Sequence, residues 1–343
     1  MSGRHTVRLA LGTLLAGVAF VLSACAPDAA QDALDPSGPF ARTIDGLFNL
    51  VFWIAASVFV LVEGLLILAL VRFRHKRDAP VPVQVHGNRR LELAWTVAPA
   101  LLLAIIAVPT VGTIFSIDRR PQGNVLDISV TGLQWWWHVE YPNLQVVTAN
   151  EFHIPVDVPV RISLTAPPER SNGVIHSFWI PRLAGKQDLF PGRITHLNIE
   201  ADEPGLYEGQ CVEFCGLSHA NMQLAVVAET QQDFDAWVEA QRRPAPPPPP
   251  DVLAIMQGVS TPCGGCHTIN GVEGFGGRIG PDLTHFADRS RFAGWMFENT
   301  PENLAAWVRD APSRKPGSVM PSFAGELSQG EVDALVAYLR SLE

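Results

Sequence analysis

Residues 209–226 read GQCVEFCGLSHANMQLAV, and this stretch holds two of the five cysteines of the 343-residue chain. Cys211 and Cys215 are followed closely by His219 and Met222, so that thiol, imidazole and thioether groups occur within twelve residues. These groups are the soft and borderline ligands of transition metals. A redox dithiol normally has the shorter spacing Cys-x-x-Cys, which this pair does not match. The stretch therefore predicts a metal centre.

The set of donor groups distinguishes between the candidate metals. Structural zinc binds cysteine and histidine, and a zinc site would leave Met222 without a role. A single blue-copper ion needs one cysteine, two histidines and a weak methionine. Copper accepts all three kinds of ligand, and the second cysteine allows two copper ions to be bridged. The second histidine would come from a distant strand; His176, in VIHSFW at residues 174–179, is the candidate, although a lone histidine is more often a surface residue.

Composition narrows the class of protein. The formal net charge is −9, which gives no support for nucleic-acid binding, because that function usually leaves a basic surface. The cysteine count is odd, and two closely spaced pairs are more typical of metal or haem binding than of a disulfide framework. The five cysteines are Cys25, Cys211, Cys215, Cys263 and Cys266.

The first 24 residues have the pattern of a secretory signal peptide. Two arginines precede an apolar run from Leu9 to Leu22, and small residues follow at the cleavage point. The sequence LSAC that ends at Cys25 resembles the bacterial lipobox, which predicts lipidation of this cysteine as the new N-terminus. An ordinary signal peptide with an incidental cysteine is the alternative. In both cases residues 25–46 are predicted to be an extracytoplasmic N-terminal segment.

Two long apolar runs, at residues 47–71 and 93–117, predict transmembrane helices. Each exceeds the roughly 20 residues that a helix needs to cross a bilayer. Residues 72–90 between them carry six lysines or arginines and one acidic residue, and basic short loops stay in the cytoplasm. The pattern predicts a hairpin in a bacterial plasma membrane, with a cytoplasmic loop at residues 72–92 and the rest of the chain on the outer face.

The remaining two thirds of the chain divide into three parts. Residues 118–241 contain short runs of β-branched and aromatic residues separated by proline, glycine and asparagine, which predicts an all-β sandwich or barrel with a short helix at 232–241. Residues 242–251 read RRPAPPPPPD, an extended spacer of roughly 25 Å at about 3.1 Å per residue. Residues 252–343 have helical patterns and form a third unit.

The sequence CGGCH at residues 263–267 is the signature of covalent c-type haem attachment. It predicts thioether bonds to Cys263 and Cys266, with His267 as the proximal iron ligand. The sixth ligand is expected to be Met320, in GSVMPSF, with Met296 as the weaker candidate. A methionine opposite a histidine raises the potential and suits an electron carrier. With this assignment no cysteine is left to form a disulfide.

The run from Cys211 to Met222, together with His176-Ser177-Phe178 upstream, resembles subunit II of the haem-copper cytochrome c oxidases. The likeness covers about residues 40–230. It implies a multidomain membrane protein with a two-helix transmembrane hairpin, an all-β cupredoxin-like sandwich that holds the binuclear copper A centre, and here a C-terminal all-α class I cytochrome c domain.

The resemblance also implies a complete ligand set for two copper ions. The thiolates of Cys211 and Cys215 would bridge the two ions, and the imidazoles of His176 and His219 would be terminal ligands. The Met222 thioether would bind one copper and the backbone carbonyl of Glu213 the other. In this family the glutamate side chain binds a magnesium or manganese ion shared with subunit I, which implies the same role for Glu213.

Two further residues match positions of the family. Trp135, in QWWW at residues 134–137, corresponds to the tryptophan at which electrons enter from cytochrome c. Strand alternation by itself predicts that only one face of this tryptophan run is buried. Glu92, at the start of the second span, corresponds to the glutamate at the mouth of a proton channel into subunit I, with a carboxylate at the cytoplasmic interface as the alternative.

Fusion of such a subunit to a cytochrome c domain resembles the caa3-type oxidases. It implies that electrons pass from haem c via copper A to haem a of subunit I, where dioxygen is reduced to water and protons are translocated. The implied partners are subunit I with haem a and haem a3-CuB, subunit III, the membrane, and a soluble or membrane-bound cytochrome or quinol–cytochrome c reductase as electron donor.

The charges of the two outer domains bear on how they meet. Residues 118–241 carry 7 basic and 16 acidic side chains, and residues 251–343 carry 7 and 11. Long-range attraction would therefore not hold the domains together at physiological salt. A covalent link instead raises the effective concentration to roughly the millimolar range. We expect transient docking of the haem domain against the region of Trp135.

Three other functions compete with this interpretation. A nitric oxide reductase with a copper A subunit would share most of the motifs, and its subunit I would distinguish it. A membrane-anchored electron carrier or copper-holding lipoprotein would not need two spans, since one lipid and a single anchor suffice. A quinol oxidase subunit II has the same fold but lacks the copper ligands.

Overall fold

The computed structural model describes Gly12, Gly17 and residues 29–74, 83–84, 86–171, 173–258 and 260–343. The predicted cleavage point and Cys25 lie outside the described residues, as does most of the signal segment. Lipidation and signal cleavage therefore stay predictions.

Two long helices begin the described fold, α1 at Pro39–Arg72 and α2 at Arg89–Asp118. At 1.5 Å per residue either is long enough to cross a bilayer, and their most apolar windows have mean hydropathies of 2.7 and 2.3 with no residue buried inside the protein. Both helices extend beyond the predicted apolar spans. Glu92 consequently lies in the first turn of α2, where the side chain of Asn88 caps the helix, and not at the end of the loop.

The helix hairpin is fixed to the β domain by hydrogen bonds at its outer end. Asn198 donates from Nδ2 to the carbonyl of Ile117 over 2.7 Å, which holds the last turn of α2 against a strand. Near the start of α1, the Arg42 guanidinium forms a bidentate pair with the Asp202 carboxylate. These contacts set the position of the β domain relative to the membrane-spanning helices.

Ten strands form two five-stranded sheets that pack face to face as a β-sandwich. The strands are β1 Leu126–Leu133, β2 Trp136–Tyr141, β3 Val146–Ala149, β4 Glu151–Pro155, β5 Val160–Thr165, β6 His176–Trp179, β7 Gln187–Leu189, β8 Thr195–Ile199, β9 Gly205–Cys211 and β10 Gln223–Glu229. One sheet has the order β3-β2-β1-β5-β8 and the other the order β4-β10-β9-β6-β7. The pairs β1–β5 and β4–β10 are parallel and the other neighbours antiparallel.

The two sheets share a core of inward-facing apolar side chains, which follows from the period-2 alternation of the strands. Trp137 is fully buried in it and meets the ring of Phe178 edge-on at 5.1 Å. A short helix, α3 at Pro168–Ser171, connects β5 to β6, and α4 at Gln231–Gln241 closes the end of the sandwich. The predicted helix at 232–241 thus begins one residue earlier, because the side chain of Thr230 caps it.

The C-terminal domain is built of short helices around its own apolar core, in which Val332 and Leu342 are fully buried. A two-stranded hairpin is its one departure, among the described residues, from the expected all-α fold. The elements are α5 Pro250–Met256, α6 Cys263–Cys266, β11 Arg291–Phe292, β12 Phe297–Glu298, α7 Pro301–Arg309, α8 Ala311–Arg314 and α9 Gln329–Leu339. A capping box of Ser328 and Glu331 begins α9.

The proline-rich segment at 242–251, predicted to be an extended spacer, is partly helical and partly packed against the C-terminal domain. Its last two residues already belong to α5, because Pro250 takes the first helical position, where its missing N–H is not needed. Ala245 is buried and donates its backbone N–H to the carbonyl of Asn270, and the Tyr338 hydroxyl donates to the carbonyl of Pro246. The segment therefore packs on the cytochrome-like domain over part of its length.

Candidate functional site

The end of β9 and the start of β6 bring the first two predicted metal ligands together. These strands are antiparallel neighbours, and Phe178 lies opposite Cys211. The backbone N–H of Val212 donates to the carbonyl of Ser177 over 3.0 Å, which extends the pairing by one step. As a result, His176 at the start of β6 and Cys211 at the end of β9 lie side by side at one end of the sandwich.

The loop at residues 212–222 supplies the other predicted ligands. Its two ends are joined, since the N–H of Cys211 donates to the carbonyl of Met222 over 2.9 Å. A single 3₁₀ turn at His219–Asn221 then folds the loop back toward the strand end. The backbone hydrogen bonds of this closed loop hold Cys215, His219 and Met222 over Cys211.

All six predicted donor atoms lie next to one another. The Cys211 and Cys215 Sγ atoms are 3.8 Å apart. Cys211 Sγ is 3.9 Å from His176 Nδ1 and 3.3 Å from the carbonyl oxygen of Glu213. Cys215 Sγ is 3.6 Å from His219 Nδ1 and 3.9 Å from the Met222 Sδ atom. The two sulfurs thus occupy the centre of the cluster, and the other donors surround them.

The cluster is enclosed by the core of the sandwich. The side chains of Met222 and His176 are fully buried, and Cys215 is 1% exposed. His176 faces Cys211 through Nδ1, and its other ring nitrogen, Nε2, is buried without a hydrogen-bond partner among the described residues. Two thiols, two imidazoles and a thioether gathered at one buried point fit a soft metal centre.

The two thiols titrate as a coupled pair. A hydrogen bond from Cys215 lowers the pKa of Cys211 to about 4, and the same bond, together with burial, raises the pKa of Cys215 far above its ordinary value. Cys211 is therefore the thiol of the pair that ionises more readily. A bound cation would favour the ionised form of both, since metal ligation requires thiolates.

Trp135 lies directly against this loop. Its indole Nε1–H donates to the carbonyl of Cys215 over 3.0 Å, and Gln134 donates to the same oxygen over 2.8 Å. All three tryptophans of the run are buried, with Trp135 at 7%, Trp136 at 9% and Trp137 at 0% exposure. The expectation that only one face is buried was wrong, because Trp136, on the face of β2 opposite to Trp137, borders a cavity that residues of the C-terminal domain also line.

A cavity in the C-terminal domain contains the predicted haem-attachment residues. Cys263 and Cys266, at the two ends of α6, lie on its wall together with His267 and Met320. His267 Nδ1 lies 2.8 Å from the carbonyl of Pro281, which leaves Nε2 for another partner, and burial lowers the pKa of this histidine and so favours its neutral form. Neutral imidazole is the form that binds iron, and this donor set fits a c-type haem.

The same cavity distinguishes the two methionine candidates. Met320 lines it, whereas Met296 is not among the described residues that do. The wall also includes residues of the β domain, namely Gln134, Trp135, Trp136 and Asn150. We call residues 211–222 the metal loop. The predicted haem pocket therefore opens onto Trp135, the tryptophan that contacts this loop.

The two predicted carboxylate sites face outward. Glu92 is exposed in the first turn of α2, and Glu213 is exposed at the tip of the metal loop, with its carbonyl turned toward Cys211. Neither side chain is brought to the cysteine cluster. Both lie where another subunit could reach them.

Two buried charged residues at the contact between the domains were missed by the sequence reasoning. Glu151 and Lys315 are each 4% exposed, and each bonds to the other domain. The only available signal is slight: Lys315 is the sole lysine after residue 186. Nothing in its local sequence indicates burial.

Fold and site together define a membrane-anchored redox subunit, in which a cupredoxin-like sandwich carries a cysteine-rich metal loop and a cytochrome c domain follows. Residues 27–112 and 145–229 match the transmembrane and periplasmic domains of cytochrome c oxidase subunit II, and residues 257–343 match cytochrome c. The chain belongs to the cytochrome c oxidase subunit II family, and it forms part of a haem-copper terminal oxidase.

Individual relatives match most of the chain or one domain of it. Cytochrome c oxidase subunit 2 of Alkalihalophilus pseudofirmus is 40% identical over 330 residues, which is 94% of each chain. The protein of the same name from Bacillus sp. (strain PS3) is 35% identical over 79% of this chain and 80% of its own. The crystal structure of the periplasmic domain of subunit II of cytochrome oxidase of Bradyrhizobium japonicum is 30% identical, with a TM-score of 0.33, over 36% of this chain and 96% of that one. The family implies copper, haem and association with other oxidase subunits in a membrane complex.

Proposed function

We propose that this subunit passes electrons from its own haem c, through a binuclear copper A centre, to haem a of subunit I. There dioxygen would be reduced to water with translocation of protons. The observation that carries the proposal is the position of Trp135, whose ring borders the haem cavity and whose indole N–H bonds to the backbone of Cys215. One side chain thus connects the two candidate redox sites.

The chain's own residues would hold the copper ions in a fixed arrangement. Cys211 and Cys215 are the proposed bridging ligands and His176 and His219 the terminal ones, with Met222 and the carbonyl of Glu213 completing the set. When bound, a copper pair of this kind shares one electron between two metals and so changes little in geometry on transfer. The closed loop supports that property, because its backbone hydrogen bonds fix the donors before any metal arrives.

The haem would be held by thioether bonds to Cys263 and Cys266. His267 and Met320 are the proposed axial ligands of its iron. The hydrogen bond between His267 and Pro281 orients the imidazole ring, as second-shell partners of metal ligands commonly do. This pair of ligands suits electron transfer, since an axial methionine raises the potential.

Other roles follow from the outward-facing residues and the predicted orientation. We assign Glu92 to the mouth of a proton channel and the Glu213 side chain to a magnesium or manganese ion, both shared with subunit I. Subunit III, and a cytochrome or quinol–cytochrome c reductase as donor, complete the proposed partners. The basic loop between the helices supports an outer-face location of both redox domains in a bacterial plasma membrane.

The proposal is tested on the purified oxidase complex by metal analysis and by visible and near-infrared spectra. We expect two coppers and one haem c per copy of this chain, in addition to the metals of subunit I. A truncated chain lacking residues 243–343 should keep the copper spectrum and accept electrons more slowly. Zinc, or a single copper ion, in the cysteine loop would falsify the proposal, and nitric oxide turnover without dioxygen reduction would favour a reductase instead.

A further inference from the structure

One loop of the cytochrome domain contacts the β domain at several points. We call residues 293–296, the turn between β11 and β12, the docking loop. Ala293, Gly294 and Trp295 have φ angles of +57°, +78° and +66°. Three consecutive residues in the left-handed region are unusual, and for alanine and tryptophan this backbone is costly unless the surroundings hold it in place. The surroundings here are the other domain.

A buried carboxyl group of the β domain receives one side of the docking loop. Glu151, at the start of β4, accepts a hydrogen bond of 3.0 Å from the indole N–H of Trp295. It also accepts from the hydroxyl and, over 3.1 Å, from the backbone N–H of Ser290. Glu151 is 4% exposed and Trp295 is 2% exposed. All three of these donors belong to the cytochrome domain.

A buried lysine of the cytochrome domain holds the other side. The Lys315 amino group donates to the carbonyl of Trp135 over 2.6 Å and to the carbonyl of Ala293 over 2.8 Å. It therefore joins the docking loop to the backbone of the tryptophan at the metal loop. Burial of an amino group is unfavourable without such acceptors, so Lys315 is stable here only while the domains are in contact.

Backbone contacts between these two points are too close for side chains. The N–H of Gln223 donates to the carbonyl of Gly294 over 2.9 Å. A Cβ atom on Gly294 would lie 2.6 Å from the carbonyl oxygen of Asn221, and one on Gly317 would collide with the ring of Trp135. The two glycines allow the cytochrome domain to approach Trp135 closely enough to leave it only 7% exposed.

We propose that Glu151 and Lys315 are positioning residues that lock the cytochrome domain over Trp135, so that an external redox protein delivers electrons to the haem and not to Trp135. The inference rests on the proposed function for the identity of the two redox centres. The expected transient docking is thereby replaced by a persistent interface. In this interface each domain contributes one buried charged side chain that bonds to the other domain. Trp135 is closed to any soluble donor while the interface persists.

The test uses the intact oxidase complex with Glu151→Ala and Lys315→Met variants. The Gln223 amide reports on the interface, because it donates to Gly294 and touches neither substituted side chain. We expect its protection from hydrogen exchange to fall about tenfold or more in each variant, as a local opening would require. The matched controls are Glu229→Ala, which removes a carboxylate bonded to His153 on the neighbouring strand, and Lys186→Met, which removes an exposed lysine; both should leave Gln223 protected.

Electron delivery gives a second measurement in the same samples. With reduced soluble cytochrome c as donor, the wild-type haem band should change before the near-infrared copper band. In the two variants a phase of copper reduction should appear that no haem reduction precedes. Unchanged protection of Gln223 in both variants, or direct copper reduction in the wild type, would overturn the proposal.

Two further outcomes are separated by the same data. If Glu151→Ala also exposes the amides of β1 and β5, the domain has misfolded. The Glu151→Gln variant, which keeps the shape of the side chain, then decides, and we expect its exchange rate at the Gln223 amide to rise by a few fold. If the complex lacks the copper and haem bands altogether, the proposed function fails. Normal bands with unchanged protection refute the lock alone.

Discussion

The metal loop and the haem pocket are built in opposite ways. In the metal loop the donor atoms already touch, at 3.3 to 3.9 Å, and the loop is closed by its own backbone hydrogen bonds. In the cytochrome domain His267 and Met320, 53 positions apart, face a common cavity whose wall comes from helices, turns and the neighbouring domain. One site depends on a short segment and one paired strand, and the other depends on a whole domain.

This difference predicts how each site responds to loss of its cofactor. The metal loop is already assembled at the end of the β-sandwich, so we expect the β domain to need the metal for electron transfer and not for folding. A small helical domain with a cavity in its core needs its prosthetic group for packing, because unfilled apolar space costs stability. The predictions below test that contrast, from the largest expected effect to the smallest.

Replacement of Cys215 by serine should abolish the copper couple, because the central sulfur of the cluster contacts Cys211, His219 and Met222. We expect loss of the near-infrared band and of electron transfer to subunit I, while circular dichroism of the β domain stays unchanged. Met222→Leu removes a peripheral donor and should retain two coppers with an altered spectrum. A serine variant with the wild-type spectrum would contradict the bridging role.

Replacement of both Cys263 and Cys266 by alanine should prevent covalent haem attachment and destabilise the cytochrome domain alone. The loss is expected to be on the order of 5 kcal/mol, as for a large deletion in a core. Hydrogen exchange of the full-length chain would show it as lost protection in α7 and α9, with β1 and β5 unaffected. Equal loss of protection in both domains would show that the pocket is no more dependent on its cofactor than the loop.

The Met320→Leu substitution should remove the sixth iron ligand while the haem stays attached. The midpoint potential of the haem is expected to fall by on the order of 0.1 V, because axial methionine raises it. Met296→Leu is the matched control and should change neither the potential nor the methionine–iron absorption band. If Met296→Leu produces the effect instead, the cavity has been assigned the wrong ligand.

The contact between the domains should strengthen with rising pH above about pH 7. Burial lowers the pKa of Lys315 from 10.5 to about 7 in the docked state, against the opposing influence of Cys215. Between pH 7 and 10.5 the undocked state therefore binds more protons, so docking gains at most about tenfold per pH unit, and below pH 7 this group adds no pH dependence. The neutral amine still has two N–H groups for Trp135 and Ala293.

The measurement is the protection of the Gln223 amide, corrected for the intrinsic pH dependence of exchange. It should be higher at pH 9 than at pH 6 in the wild-type complex. The Lys315→Gln variant should lack this trend, and a trend of the same size in the variant would assign it to other groups.

The sequence predicts the metal loop well because its chemistry is local. Cys211, Cys215, His219 and Met222 lie within one short segment, and a loop between paired strands can bring such residues together in few ways. His176 needed the resemblance to a family, since only strand pairing places it there. The spans of α1 and α2 follow equally from local composition, although their ends depend on caps outside the apolar runs.

What the sequence did not predict arises at the contact between domains. Charge counting favoured weak docking, yet the structure has Glu151 and Lys315 buried with hydrogen-bond partners. Short-range hydrogen bonds of this kind do not depend on net charge, so they cannot be predicted from composition. The burial of Trp135 and the packing of Ala245 have the same origin, because both depend on a surface that a distant part of the chain provides.

The path of the linker limits how the cytochrome domain can leave. Arg242 donates to the carbonyl of Leu144 in the β domain, whereas Ala245 is already bonded within the cytochrome domain. Arg243 lies between them, with its N–H bonded to the carbonyl of Ala240 and its own carbonyl bonded to His285 of the cytochrome domain. The chain thus passes from one domain to the other within residues 242–245, so separation would be a rotation about this short segment. The haem would then move along an arc and return to the same orientation, and rejoining would need no search through solution.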